Sequence, residues 1–267
     1  MFKFKNHYNE ILASNFISYN NDPALNQGLI KKINHEESNW LEIDSTLTEL
    51  KINFLYSYPL LDEKDRENSK AIIEKYTKLN QNIIWVMLCD EDQSVEKDQF
   101  KDLGLEYEVS YKAMLMNLKE VPSRDVKVPQ GFTLKKLAFE DLEKFKGQID
   151  EGFGKGVIDT TKYATLLKIN ESQKLCDPIL IYHNDKVVGT GNIYYGPQAF
   201  VIDDITINKN YRGQGLASVI LYNLLEKARQ YNCEKLLLVA TKDGLPIYKK
   251  MGFNETGLKI EIFETRN

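Results

Sequence analysis

The chain has 267 residues, 42% of them hydrophobic and 28% charged, with a formal net charge of −4 at pH 7. This length suits one large or two small domains with a packed core, and the acidic balance disfavours nucleic acid as a main partner. Three scattered cysteines and three scattered histidines predict neither a disulfide framework nor a metal site. Neither a secretory signal nor a long apolar run is present, so we expect a cytoplasmic protein with no membrane segment.

In the first half, the legible pattern runs from Glu74 to Leu118. A helix ends near Asn80, and an apolar run follows at Ile83–Met87, typical of a buried strand. Lys112–Leu118 predicts a further strand. Prolines, charges and a glycine between residues 121 and 131 then interrupt the periodic pattern. We therefore expect an N-terminal domain over residues 1–125 and a second domain over residues 131–267.

The second half alternates helical and strand patterns throughout. The predicted elements are a helix at Asp141–Gly152, a helix at Thr160–Glu171, strands at Pro178–Tyr182, Lys186–Tyr195 and Phe200–Ile207, a helix at Leu216–Tyr231, a strand at Leu236–Ala240, a helix at Leu245–Met251 and a strand at Leu258–Phe263. The closely spaced strands imply an antiparallel meander, and the later helix between strands implies one parallel crossover. The fold class is therefore α/β, with a mixed sheet of the α+β kind.

Parts of the two halves resemble each other. The segment from Glu74 to Asn80 matches Glu226 to Asn232, and the Ile83 run matches the Leu236 run. Phe100–Leu105 likewise matches Tyr248–Phe253. These matches favour an internal duplication, although two α/β stretches can also resemble each other by chance.

The segment Tyr211-Arg212-Gly213-Gln214-Gly215-Leu216-Ala217 joins a predicted strand to a predicted helix. Its two glycines allow the backbone to approach an anion closely. The first N–H groups of a helix, with its dipole, bind phosphate well. Neither the Walker pattern nor the three-glycine dinucleotide fingerprint is matched. Taken alone, such a turn more often only begins a helix, so its flanks must decide.

Those flanks resemble the GNAT superfamily of acyl-CoA-dependent N-acetyltransferases. Its Arg/Gln-x-x-Gly-x-Gly/Ala signature is matched by Arg212, Gly215 and Ala217, and its later aromatic–basic run ending in Gly-Phe is matched by Leu245–Phe253. The resemblance covers roughly residues 131–265. It implies a GNAT fold, tandem if the first half is a degenerate copy, and acetyl-CoA as cosubstrate.

The resemblance also implies roles for single residues. The backbone of Ile205, Thr206 and Ile207 would pair with the pantetheine amides, and the main-chain amides of Arg212, Gly213, Gln214, Gly215, Leu216, Ala217 and Ser218 would hold the pyrophosphate. Tyr248 would protonate the leaving thiolate, a task that suits a phenol, unless it is an ordinary core aromatic. Thr241 stands where many relatives have asparagine, which puts cofactor contacts from that point in doubt.

Asp203 and Asp204 are the candidates for taking the proton of the attacking amine. Strand alternation places them on opposite faces, so only one would face the acceptor unless a bulge changes the phase. Alternatively, one of them only bonds locally, or a water serves as the base. Some sugar-phosphate acetyltransferases of the family carry a similar acidic pair.

We therefore expect an N-acetyltransferase that moves an acetyl group from acetyl-CoA to a primary amine of a small molecule or peptide, without a metal. A homodimer is compatible with this reading. The first half lacks the Arg-x-x-Gly-x-Ala pattern and carries Phe100 where the second half has Tyr248, so one working site is expected. The alternatives are a non-catalytic acyl-CoA sensor and another nucleotide-binding enzyme that uses the same loop.

Overall fold

A computed structural model of the chain describes residues 9–11, 14, 30–35, 40–45, 52–57, 63–93, 95, 97–153 and 160–265. Within these ranges, no helix combines the length and the apolar character that a membrane crossing requires. The first half contains β1 (Ile30–His35), β2 (Trp40–Ser45), β3 (Ile52–Ser57), α1 (Glu63–Lys78), β4 (Asn82–Asp90), α2 (Asp98–Lys101) and β5 (Leu105–Asn117). The second half contains β6 (Phe132–Lys136), α3 (Leu142–Phe153), α4 (Thr160–Ser172), β7 (Ile179–His183), β8 (Lys186–Tyr195), β9 (Phe200–Ile207), α5 (Leu216–Gln230), β10 (Lys235–Ala240), α6 (Leu245–Met251) and β11 (Asn254–Thr265).

The strands form one mixed sheet in the order β1-β2-β3-β4-β11-β5-β10-β9-β8-β7-β6. Only the pairs β3–β4 and β9–β10 are parallel among the described strands. In each half, three antiparallel strands lead through a helix to a parallel strand, and a short helix then leads to a long final strand. This repeated order confirms the predicted mixed α/β class and supports the internal duplication.

The backbone repeats as well. Asn80 and Asn232, which the sequence aligned at the ends of α1 and α5, have left-handed φ angles of 52° and 54°. Gly104 and Gly252, which precede β5 and β11, have φ angles of 76° and 101°. Because left-handed backbone is uncommon for residues other than glycine, its recurrence at aligned asparagines supports the internal duplication.

The final strands of the two halves are exchanged. β11 of the second half lies between β4 and β5 of the first, and β5 lies between β11 and β10. A single sheet therefore contains strands from both halves, although the sequence predicted a domain boundary between residues 121 and 131. Each half supplies a strand to the other's sheet, so their packing is interdependent.

Three apolar clusters hold the described layers together. One lies on the sheet face covered by α3 and α4 and extends under both halves, with Phe145, Leu180 and Ile260 fully buried in it. A second packs α5 and α6 against the opposite face of the second half. The third packs α1 and α2 in the first half around Trp85 and Phe100.

The two exchanged strands are longer than the sequence predicts. β5 begins at Leu105 rather than Lys112, and β11 spans Asn254–Thr265 rather than Leu258–Phe263. Polar positions such as Glu106 do not suggest a strand locally, but Glu106 pairs with Glu264 of the other exchanged strand. The missing signal is thus a pairing between residues far apart in sequence. β6 was also not predicted.

Candidate functional site

The loop predicted to bind phosphate follows the last residue of β9, Ile207, and a short 3-10 turn at Lys209–Tyr211. Gly213 and Gly215 have left-handed φ angles of 77° and 78°, and α5 begins immediately afterwards at Leu216. The segment from Arg212 to Gly215 is exposed. Nε of Arg212 donates a hydrogen bond to the Ile207 carbonyl at 3.1 Å. This bond ties the loop to the end of β9.

Backbone N–H groups are left unpaired around this loop. No side chain caps α5. Among the residues the structure describes, the N–H groups from Gly213 to Ser218 donate to no carbonyl, whereas the N–H of Val219 already donates to the Gly215 carbonyl at 3.1 Å. Successive free N–H groups at a helix start form a concave site for an anion. The arrangement therefore fits the pyrophosphate predicted for Arg212 to Ser218.

The strands β9 and β10 diverge beside this loop. Their parallel pairing runs only from Phe200 opposite Leu236 to Ile202 opposite Leu238, although β9 continues to Ile207. Beyond Ile202, the edge of β9 that faces β10 pairs with no other strand in the described part of the chain. This strand opening, the gap between β9 and β10 beyond Ile202 and Leu238, presents backbone groups with which an extended ligand containing amides can pair. It fits the pantetheine contacts predicted for Ile205, Thr206 and Ile207.

A β-bulge changes the phase of β9 at the opening. Thr190 pairs with Thr206 and Asn192 with Asp203, so Asp204 and Ile205 together oppose the single residue between Thr190 and Asn192. Asp204 has a φ of 61°, which a residue other than glycine rarely adopts. The bulge that the sequence analysis left open as the exception to strand alternation is therefore present here.

Because of the bulge, Asp203 and Asp204 share one face of the sheet. Directly paired residues point to the same side, which puts Asp203 beside Asn192. Nδ2 of Asn192 donates to Oδ2 of Asp204 at 3.3 Å, so this carboxylate lies on that side too. Asp203 also bonds locally, since its Oδ1 accepts the N–H of Asp204 at 2.8 Å. Both aspartates thus face the α3–α4 side.

Tyr248 lies in α6 and is 9% exposed. Its ring packs so closely on Gly244 that a Cβ added there would lie 2.7 Å from Cε2. Burial raises the pKa of the Tyr248 phenol, and the negative charge of Asp203 raises it further. The phenol therefore stays protonated at neutral pH. The pKa of the Tyr248 phenol thus responds to Asp203, a residue predicted in a different role.

Thr241 follows β10 and helps to shape the start of α6. Its Oγ1 accepts the N–H of Gly244 at 3.1 Å, and its carbonyl accepts the N–H of Leu245 at 3.0 Å. The hydroxyl oxygen thus holds the turn that carries Gly244 against Tyr248. Its proton is left to donate, so the expected cofactor contact is reduced to one donor.

The first half is closed where the second half opens. The pairing of β3 with β4 extends along all of β3, from Ile52 opposite Asn82 to Ser57 opposite Met87. Nε1 of Trp85 donates to Oγ of Ser57 at 2.7 Å and joins the strands further. Residues 58–62, which would carry the counterpart of the phosphate loop, lie outside the described residues.

Phe100, the counterpart of Tyr248, is fully buried. It stacks on Phe263 at 4.2 Å and meets Trp85 edge-on at 5.4 Å between ring centroids. These rings fill the space between the sheet and α2. The described first half therefore offers no matching cleft. It lacks the glycine loop, it has Phe100 in place of a tyrosine hydroxyl, and its strands β3 and β4 stay paired.

The sequence did not indicate Tyr111 or Asn192. Tyr111 belongs to β5, and both burial and the charge of Asp203 raise the pKa of its phenol. Asn192 is a polar residue in a mostly apolar strand and is fully buried, and its polarity within that strand is the signal that could have indicated it. Residues 154–159, between α3 and α4, lie outside the described residues.

Comparison with known proteins finds a family match for part of the second half. Residues 148–253 match the model of the Acetyltransferase (GNAT) family. A glucosamine 6-phosphate N-acetyltransferase of Trypanosoma brucei brucei is 36% identical over 63 residues, which cover 23% of this chain and 43% of that protein. Glucosamine 6-phosphate N-acetyltransferase 1 of Dictyostelium discoideum is 24% identical over 149 residues, covering 51% of this chain and 93% of the relative.

Among solved structures, a GCN5-related N-acetyltransferase from Kribbella flavida superposes with a TM-score of 0.67 at 9% sequence identity. The superposition covers 99% of this chain and 98% of that one, so the likeness extends to both halves and shows a shared fold. The family match spans Asp203, the phosphate loop and Tyr248. Over residues 148–253, the chain thus resembles the Acetyltransferase (GNAT) family, and this segment holds the predicted site.

Proposed function

We propose that this protein is an N-acetyltransferase that transfers the acetyl group of acetyl-CoA to a primary amine in its second half. The strand opening beyond Ile202 carries this proposal. The opening lies between a loop with free N–H groups and the buried phenol of Tyr248. A ligand with a pyrophosphate at one end, two amides in its middle and a reactive thioester at the other matches these features in order.

In this proposal, the N–H groups from Gly213 to Ser218 bind the pyrophosphate. The unpaired edge of β9 from Ile205 to Ile207 binds the pantetheine arm as an added strand would bind. The arm then ends near the bulge, where backbone N–H groups freed from the ladder are available to stabilise the developing oxyanion. Thr241 contributes at most one hydroxyl donor.

The transfer forms a C–N bond and breaks the C–S bond of the thioester. The amine nitrogen attacks the carbonyl carbon, and the coenzyme leaves as a thiolate that takes its proton from Tyr248. The proton lost by the amine passes to Asp203 or to a water beside it. Asp203 is favoured over Asp204, because it is half-buried, whereas Asp204 is 5% exposed and its carboxylate accepts a bond from Asn192. Holding amine and thioester together supplies most of the rate.

The acceptor is a primary amine of a small molecule or peptide. The trypanosomal and Dictyostelium relatives are named as glucosamine 6-phosphate N-acetyltransferases, so that amino sugar phosphate is one acceptor to test. The chain spans only 43% of the trypanosomal relative's length, and that enzyme's acceptor does not transfer to this chain without a test.

Release of free coenzyme A thiol in the presence of a panel of amines tests the proposal. Wild type should release thiol only when a suitable amine is present. Tyr248→Phe should lower kcat about 100-fold, as expected for loss of one general acid, while the Kd for acetyl-CoA changes little. Tight binding without thiol release for any amine would instead indicate a non-catalytic acyl-CoA sensor. Thermal protection by ATP or NAD, but not by acetyl-CoA, would indicate another nucleotide-binding enzyme.

A further inference from the structure

We propose that Asn208 and Glu151 are positioning residues that join the C-terminal end of α3 to the phosphate loop, so that α3 and the bound coenzyme are held in one arrangement. This inference rests on the proposed acetyl transfer. It adds two residues to which the sequence pattern assigned no role, and it predicts that coenzyme binding steadies the end of α3.

Asn208 is built into the junction between β9 and the phosphate loop. It is almost fully buried, and each of its hydrogen-bonding groups has a partner. Its backbone N–H donates to the Val188 carbonyl of β8 at 2.8 Å, and its carbonyl accepts the N–H of Tyr211 at 2.8 Å. Its Oδ1 accepts the N–H of Asn210 at 3.1 Å, and its Nδ2 donates to Oε1 of Glu151 at 2.6 Å. One side chain thus fixes the turn that leads into the loop and also reaches α3.

The C-terminal end of α3 lies directly on β9 at this point. Glu151 itself is exposed, so its bond to the buried Asn208 ties the helix end to the sheet. The next residue, Gly152, packs so closely on Thr206 that an added Cβ would lie 2.5 Å from Cγ2 of the threonine. Thr206 belongs to the stretch of β9 whose free edge is proposed to bind the pantetheine arm. The end of α3 therefore forms a wall beside the proposed coenzyme site.

These contacts meet where β9 leads into the phosphate loop. The carbonyl of Ile207, between Thr206 and Asn208, accepts the bond from Nε of Arg212. Movement of the end of α3 would therefore shift both anchors of the loop, which are the Ile207 carbonyl and the turn at Lys209–Tyr211. Coupling between two sites is reciprocal, so a ligand that fixes the loop also fixes the end of α3.

Hydrogen–deuterium exchange with coenzyme A as the probe tests this coupling. In wild type, saturating coenzyme A should slow exchange about fivefold both in residues 207–219 and at the end of α3, residues 148–153. Asn208→Asp keeps an oxygen that accepts the N–H of Asn210 but sets a carboxylate against Glu151, so it breaks only the link to α3. The loop should stay protected in this variant, and the protection at the end of α3 should be lost. Unchanged protection of both segments would overturn the inference.

The double variant Glu151→Gln/Asn208→Asp distinguishes this link from general damage. It exchanges donor and acceptor, because the introduced amide donates to the introduced carboxylate. Coenzyme A should again protect residues 148–153, to within about twofold of wild type. A double variant that behaves like Asn208→Asp would overturn the assignment of this pair.

The close contact of Gly152 gives an independent test with a control in the same helix. An alanine there would push the end of α3 away from Thr206, whereas a Cβ added at Gly147 meets nothing within 4 Å. By calorimetric titration, Gly152→Ala should raise the Kd for acetyl-CoA about fivefold, and Gly147→Ala should change it less than about twofold. Equal Kd values for the two variants would overturn the role of α3 as a wall of this site. A wild type that binds neither coenzyme A nor acetyl-CoA would overturn the proposed function itself, and this inference with it.

Discussion

Asn192 pairs with Asp203 in the sheet register, yet its amide nitrogen donates to the carboxylate of Asp204, 3.3 Å away. Both observations hold because the bulge in β9 places consecutive carboxylates on one face. The same bulge lies where β9 leaves β10, so one local irregularity groups the acidic residues and opens the strand edge. The site thus depends on backbone geometry as much as on side chains.

The bulge can be tested through the φ of 61° at Asp204. A β-branched residue cannot adopt this angle without strain, whereas glycine adopts it freely. We expect Asp204→Val to have a free energy of unfolding about 2 kcal/mol lower than Asp204→Gly, because both lose the carboxylate and only valine adds strain. Urea unfolding measures the difference. Equal stability of the two variants would argue against a left-handed residue at this position.

The phosphate loop offers a matched pair of glycines. Gly215 and Gly104 have φ angles of 78° and 76°, and neither would bring an added Cβ within 4 Å of another atom. Alanine at either position should therefore lower the free energy of unfolding by about 1 kcal/mol through backbone strain alone. Only Gly215→Ala should also weaken acetyl-CoA binding, by about tenfold in Kd, because it misaligns the N–H groups. Calorimetric titration of both variants checks this, and equal loss of binding in both would contradict the assigned loop.

The buried phenol of Tyr248 predicts a pH effect on stability. Its pKa is raised above the ordinary value of 10.0, first by burial and then by Asp203. Above about pH 10, the unfolded chain loses this proton while the folded chain keeps it, so the free energy of unfolding falls as pH rises. Tyr248→Phe should make that fall shallower, by at most about 1.4 kcal/mol per pH unit.

Urea unfolding of wild type and Tyr248→Phe between about pH 9 and pH 11 measures this slope. Tyr231→Phe is the control, since Tyr231 is 58% exposed. An unchanged slope in Tyr248→Phe would mean that this phenol is not shielded from ionisation in the folded protein.

The exchanged strands predict that the halves do not fold separately. Without residues 1–121, β10 and β11 lose β5, and β11 also loses β4. The exposed strand edges should make the isolated fragment 122–267 aggregate. Coexpression of 1–121 with 122–267 should restore a soluble 1:1 complex, seen by size-exclusion chromatography. Cooperative folding of 122–267 alone would support two independent domains at residues 1–125 and 131–267.

Much of the second half could be predicted because its signals are local. Three elements have the predicted bounds: the strands Lys186–Tyr195 and Phe200–Ile207 and the helix Leu245–Met251. Residues close together in sequence determine where such strands and helices begin and end. The arrangement of Gly213 and Gly215 before a helix was equally legible. The mixed α/β class and the family followed from these elements.

The unpredicted features all depend on residues distant in sequence. The bulge at Asp204 needs the register with β8, and the position of Tyr111, just beyond the end of β10, needs β5 to pair with β10. Neither pairing produces a recognisable hydrophobic pattern in the sequence of the strand concerned. The predicted functions of Asp203, Tyr248 and Thr241 stay predictions, although the structure gives each a defined surrounding.

Tracing the acetyl group tests the central claim most directly. The protein is incubated with acetyl-CoA labelled in its acetyl carbons and with each amine of the panel in turn, and the products are identified by mass spectrometry. The account predicts that the label appears as an amide on the amine nitrogen, with an equal amount of free coenzyme A, and that Tyr248→Phe slows both together. Label that remains in acetyl-CoA, or that appears only as free acetate whichever amine of the panel is supplied, would contradict it.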